Sequence, residues 1–302
     1  RILGMVREIL LSTFIGAGPL LDAFVAAFRL PNIFRRFFAE GAFNAAFVPL
    51  FAKRYESNME PKEFANNVFA NLLTLLLILT SIAMVFMPGL VFLTAAGFAS
   101  DHRFDLTVDF GRIMFPYILL ISLAALFSGI LNTTGRFSVA AAAPVILNII
   151  IVVALLIAWA ADHNIMVWLV WSIPIAGIIQ LSLLWLATYK TGIKITFSVP
   201  KWNADIGDLV KLAIPAALAG GVLQINLLVG QLVASQETGA ISFLYFADRL
   251  YQLPLGIAGI AVGTVLLPNL SRHLKTGDSN QAQITYSCLL YTSPSPRDQL
   301  TS

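Results

Sequence analysis

The feature that most restricts this chain is the stretch "NLLTLLLILTSIAMVFMPGLVFLTAAGF" at 71–98, which holds no charged side chain from end to end. "PVILNIIIVVALLIAWA" at 144–160 is equally free of charge. A bilayer core about 30 Å thick is crossed by roughly 20 mostly apolar helical residues. In that core every backbone N–H and C=O must bond within the protein, which leaves helices and closed barrels as the possible spanning structures. No alternating ten-residue segments of barrel type occur. Of 302 residues 58% are hydrophobic and 12% charged, with a mean hydropathy of +0.82, far from the balance of a soluble domain. The expected fold class is therefore an all-α integral membrane protein, a polytopic helix bundle.

The apolar windows predict eight spans, near residues 1–19, 22–52, 64–95, 109–132, 138–160, 165–188, 206–235 and 239–270. Turn-rich gaps separate them: "GAGP" at 16–19, "SNMEPKE" at 57–63, "NTTGR" at 132–136, "ADHN" at 161–164 and "SQETG" at 235–239. Taken alternately, the loops divide by charge. One set holds Lys53, Arg54, Lys62, Arg136, Lys190, Lys194, Lys201, Arg272 and Lys275; the other has Arg103 beside Asp101 and Asp105, then Asp162 and Glu237. The positive-inside rule makes the first set cytoplasmic and puts the N-terminus on that side as well.

Several function classes drop out. The net charge of +3 is spread over short loops with no aromatic-laced basic patch, so no nucleic-acid partner is expected. The three histidines sit singly in loops and the one cysteine, Cys288, has no partner in sequence, so neither a metal site nor another cofactor is indicated. No nucleophile accompanies a base and no carboxylates pair for acid–base chemistry, which argues for a transporter and against an enzyme. The chain opens at Arg1 without a charged n-region, which reads as a start inside a first membrane helix and not as a signal peptide.

Charges embedded in apolar spans carry the functional signal, since each costs roughly 2.5–3.5 kcal/mol at a span centre and usually faces a partner or water. Seven basic residues (Arg1, Arg7, Arg29, Arg35, Arg36, Arg112 and Arg249) stand against five acidic ones (Glu8, Asp22, Glu40, Asp109 and Asp248), a surplus of two. Helical neighbours meet at three or four residues. By that spacing Arg36 with Glu40 and Asp109 with Arg112 read as structural charge pairs, whereas Arg7, Arg35 and Arg249 have no acidic residue at those distances. Asp22 likewise lacks a local partner, and an interhelical pair with Arg7 is one explanation for it. Pro31, which removes a backbone donor and disfavours helix at Leu30, predicts a kink beside this cluster. Guanidinium forks match phosphate oxygens, so the expected ligand is anionic and phosphorylated.

A weak internal repeat accompanies these charges. "FRLP" at 28–31 leads to "VPLFAKR" at 48–54 much as "DRLYQLP" at 248–254 leads to "LLPNLSRH" at 266–273, which suggests a unit of six helices. Three longer stretches, "RLPNIFRRFFAEGAFNAAFVPLFA" (29–52), "FPYILLISLAALFSGILNTTGRFSVAAAAPVILNI" (115–149) and "YFADRLYQLPLGIAGIAVGTVLLPNLS" (245–271), are similar to the MurJ/MviN lipid II flippases, relatives of the MATE exporters. The resemblance implies a two-lobe transporter of the MOP/MATE type. It also implies lipid II as the partner carried across the bacterial cytoplasmic membrane by alternating access, with membrane lipids around it and a monomeric state. Its substrate-binding residues correspond by motif to Arg7, Arg35 and Arg249, with Arg1 a further candidate and Asp22 the first-lobe aspartate. Gln252 stands where some relatives have a glutamate.

On this reading residues 1–188 form a first six-helix lobe, 189–204 a cytoplasmic linker and 205–285 the beginning of a second lobe. The polar tail at 286–302 resembles read-through of a sequencing adapter, so the chain is expected to be a piece with about eight spans. Three alternatives remain: a cation-coupled exporter, which should have an acidic cavity; a flippase of another polyprenyl-diphosphate oligosaccharide; and an enzyme of lipid pyrophosphates, which would need a metal cluster or nucleophilic histidine.

Overall fold

The computed structural model describes residues 2–35 and 42–261. Among them the chain forms eleven α-helices: α1 (Ile2–Phe14), α2 (Pro19–Arg35), α3 (Ala42–Glu56), α4 (Pro61–Val85), α5 (Met87–Thr94), α6 (Arg103–Met114), α7 (Tyr117–Thr133), α8 (Phe137–Ala160), α9 (Ile165–Tyr189), α10 (Ala204–Ala234) and α11 (Ala240–Ala261). A short 3-10 helix, Ala96–Ser100, joins α5 to α6, and the described residues contain no strand. Four helical stretches among them are long and apolar enough to cross a bilayer: Pro61–Val85, Arg103–Thr133, Phe137–Ala160 and Ile165–Tyr189.

Three of the eight expected spans are subdivided, each for a local reason. The helix expected over 22–52 appears as α2 and α3, with 36–41 outside the described residues. The helix expected over 64–95 breaks at Phe86, where Pro88 in the first turn of α5 withdraws a backbone donor. Residues 109–132 belong to α6 and α7, which meet at Phe115 and Pro116. Conversely, α2 runs on as α-helix through Pro31 to Arg35. The end of the last expected helix, over 262–270, lies outside the described residues.

The chain divides into two compact units, Arg1–Ser242 and Phe243–Ser302. In the first, α7 is the hub, packed against α3, α4, α8 and α9. Its span is 67% buried, against 22% for the α8 span. That difference separates a helix surrounded by protein from one that turns Val153, Leu156 and Trp159 outward. Such a continuous apolar outer surface suits lipid and not water. The interior is aromatic along α3, where Phe43, Phe47, Phe51 and Tyr55 stack at four-residue intervals with centroids 5.3, 5.4 and 6.1 Å apart. Gln180 joins three helices from its buried site, accepting from the Tyr117 hydroxyl at 3.3 Å and donating to the Ala143 carbonyl at 2.5 Å.

The turns around residues 18–22, 95–103 and 235–242 meet at one end of this unit. At the other, Arg54 pairs with Asp205 at 2.5 Å and stacks its guanidinium over Phe64 at 4.9 Å.

Candidate functional site

Asp22 lies in the first turn of α2 and is fully buried. A buried carboxylate needs partners for all its lone pairs, and four groups from two distant segments supply them. The Gly239 N–H donates to Oδ2 at 2.6 Å, and the Ser242 N–H and hydroxyl donate to Oδ1 at 2.8 and 2.6 Å. Arg103 Nη1 completes the set at 3.4 Å from Oδ2. Gly239 has φ +85°, a left-handed conformation that glycine adopts without strain. With it the backbone turns into α11 so that two N–H groups at the start of that helix reach one carboxylate. Asp22 thus caps α11 from another helix, satisfying donors that have no partner within α11 itself. The suggested partner Arg7 is not the one used.

Arg103 is only 3% exposed although the sequence places it in a loop. Besides Asp22 it pairs with Asp101, whose Oδ2 lies 2.7 Å from Nε and 2.6 Å from Nη2. It also donates to the Glu237 carbonyl at 3.4 Å and sits over the Phe98 ring at 4.3 Å. Asp101 Oδ1 accepts from the Arg103 N–H at 2.7 Å, which fixes the start of α6. The side-chain hydrogen bond from Arg103 is the main influence holding the Asp101 carboxyl below its ordinary range; partial desolvation opposes it and the backbone N–H bond assists. One guanidinium therefore binds α2, α6 and the turn before α11 together. Sequence spacing missed Arg103 because its acidic neighbours Asp101 and Asp105 stand two residues away, not three or four, and Asp22 is 81 residues away.

The arginines selected by spacing fare differently. Arg7 is half-buried and is met by Glu8, its immediate neighbour, as well as by Asn148 Oδ1 on α8 at 2.9 Å. The expectation that it lacks a counter-charge is corrected: Cα directions diverge between helical neighbours, but two long side chains reach a common half-buried site against α8. Arg249, on α11, donates to Gln252 Oε1 at 3.1 Å and lies over the Tyr245 ring at 5.2 Å, so the positions three residues on and four residues back both hold it. Arg29 donates to the Leu227 carbonyl of α10 at 3.3 Å.

Arg35 is the last residue of α2, and its side chain lies outside the described residues, as do Arg1, Arg36 and Glu40. Asp109 and Arg112 are both exposed on α6, and the ion pairs among the described residues do not include theirs. Their spacing permits a pair, but the two side chains do not form one. No group of three or more possible metal ligands occurs among the described residues.

Residues 11–292 match the family model described as "Lipid II flippase MurJ". The chain belongs to the lipid II flippase MurJ family. A Rhizobium tropici protein named "Probable lipid II flippase MurJ" is 48% identical over 93% of this chain and 54% of its own length. A Burkholderia cenocepacia protein named "Lipid II flippase MurJ" is 35% identical over 96% of this chain and 57% of its own length. The chain therefore spans about half the length of the curated MurJ relatives it matches. Among solved structures, a lipid II flippase MurJ in an inward closed conformation superposes with TM-score 0.76 at 30% identity, covering 91% of this chain and 57% of that one. An inward-facing MATE transporter of the MOP superfamily gives TM-score 0.67 at 17% identity, covering 96% and 65%, which shows a shared fold. The MurJ-family chain is thus a membrane protein whose described residues form a helical fold shared with that transporter.

Proposed function

We propose that the protein carrying this chain moves lipid II across the bacterial cytoplasmic membrane by alternating access, with its N-terminal end and the basic loops inside. The observation that carries this reading is the similarity to MurJ relatives along 93% of the chain at 48% identity. The embedded arginines supply the chemistry: Arg7, Arg35 and Arg249, with Arg1, take the diphosphate head through bidentate hydrogen bonds. Arg7 is held by Glu8 and Asn148, and Arg249 by Gln252 and Tyr245. The incoming diphosphate exchanges with these contacts, so Arg7 and Arg249 stay partnered before and after binding.

Asp22 takes a different part from the arginines. It is fully buried among four donors, so it serves as a latch between α2 and the start of α11 on the side of the acidic loops. In alternating access one side closes while the other admits the substrate. Breaking the contacts of Asp22 with Gly239 and Ser242 opens the latched side.

The test uses a depletion strain in which lipid II exposed on the outer leaflet is measured directly. Expression of the complete protein should restore outer-leaflet lipid II and growth. Normal membrane levels with no restoration would refute the proposed transport.

A further inference from the structure

Residues 190–203, between α9 and α10, are irregular, yet they run beside α4 within reach of the membrane. Phe197 packs against Phe69 of α4 at 5.6 Å and Trp185 of α9 at 6.4 Å between centroids. Phe69 is eight residues inside α4, about 12 Å from its start, and Trp185 is four residues, about 6 Å, from the end of α9. Each of these helices has 25 residues, about 38 Å, so a 30 Å hydrocarbon core begins about 4 Å inside either end when the helix is centred. The Phe197 ring therefore meets these helices on the apolar side of the boundary between headgroups and acyl chains, about 8 Å inside it at Phe69 and about 2 Å at Trp185, while the segment starts at Lys190 beyond the end of α9.

Irregular backbone at that depth needs hydrogen-bond partners, and three asparagines on α4 provide them. Asn66 Oδ1 accepts from the Thr196 N–H at 3.0 Å and Asn67 Oδ1 from the Lys201 N–H at 3.1 Å, while Asn71 Nδ2 donates to the Lys201 carbonyl at 3.2 Å. This gives the three asparagines within two turns of α4 a common role. The segment also has two faces. Ile193 and Ile195 are buried against the protein, whereas Phe197, Val199 and Trp202 are 74%, 78% and 74% exposed. Lys190, Lys194 and Lys201 are interleaved with them and exposed, and Lys194 Nζ lies 5.0 Å from the Tyr189 ring centre.

We propose that this segment is a membrane-docking strap. Phe197, Val199 and Trp202 insert among the acyl chains of the leaflet on the basic side, Lys190, Lys194 and Lys201 contact its anionic headgroups, and the asparagines of α4 hold the backbone in place. Exposed aromatic side chains beside lysines at interfacial depth fit a lipid surface, where the rings enter the apolar boundary and the ammonium groups reach phosphate. A soluble partner would need the same apolar face to be open to water.

Spin labels at Val199→Cys and, separately, Trp202→Cys in a Cys288→Ser background test this in nanodiscs containing about one-third phosphatidylglycerol. Ser57→Cys in the exposed turn before α4 provides the aqueous reference, and Val153→Cys on the outer face of α8 the lipid reference. At 199 and 202, collisions with a water-soluble nickel chelate should be about threefold fewer than at 57 and collisions with oxygen comparable to those at 153. Asn67→Leu with Asn71→Leu should raise nickel collisions at 199 about twofold by releasing the strap. Replacing Lys190, Lys194 and Lys201 with Gln should abolish the difference between anionic and zwitterionic discs. Nickel collisions at 199 and 202 equal to those at 57 would overturn the proposal and leave the face open to a soluble partner.

Discussion

Asp22 and Arg103 form a pair whose partners stand 81 residues apart in sequence, and Ser242, the other main partner of Asp22, is 220 away. Removing one member of a buried pair leaves a charge without compensation, which typically costs about 3–5 kcal/mol. Asp22→Asn and Arg103→Met should each lower thermal stability in detergent by an amount in that range, and the double variant should lose less than the sum. Full additivity would show that the two do not act together.

Asp101 gives a pH-dependent expectation. Its folded-state value is depressed, so the stability it contributes is complete above the unfolded carboxyl value, about 4, and is lost as pH falls through the folded one. Asp101→Asn should therefore lower stability at pH 7 and flatten the acid limb of a stability profile recorded below about pH 4. A limb of unchanged slope would assign the acid sensitivity to other groups. None of these contacts was legible from helical spacing, since Asp101 stands two residues from Arg103 and the other partners are distant in sequence. Local spacing also suggested a pair of Asp109 with Arg112 where the structure has two exposed side chains, and it overlooked the meeting of Arg7 with Glu8.

Among the elements, apolar windows and turn-rich gaps located most helices well, because hydrocarbon enforces helix over a fixed length. Breaks inside spans were harder to read. Proline alone does not decide them: α2 continues past Pro31, α8 past Pro144 and α9 past Pro174, whereas Phe86 and Pro116 mark true ends. Gly97 illustrates a constraint no periodicity reveals. It packs so closely on the end of α10 that an added Cβ would lie 2.4 Å from the Ser235 carbonyl oxygen, and its N–H donates to Ser235 Oγ at 3.0 Å. Gly97→Ala must displace backbone, so a loss of about 1–3 kcal/mol is expected in thermal unfolding. Gly89→Ala, with nothing within 4 Å of the added atom, is the control that should change little.

For the whole molecule, membrane character and family were legible, the first from uninterrupted apolar length and the second from motifs such as "RLPNIFRRFFAEGAFNAAF". The role of its charges was legible in part. Spacing selected Arg7, Arg35, Arg249 and Asp22, but it did not show that Asp22 is held by Gly239 and Ser242 or that Arg7 is engaged by Glu8 and Asn148. Embedded arginines are proposed above to receive the diphosphate head of lipid II. The most direct test of that claim is complementation of a depletion strain by the complete protein carrying Arg35→Ala or Arg249→Ala, with membrane levels measured alongside. The expected result is loss of growth and of outer-leaflet lipid II at normal protein levels. Full complementation by both variants would contradict the claim.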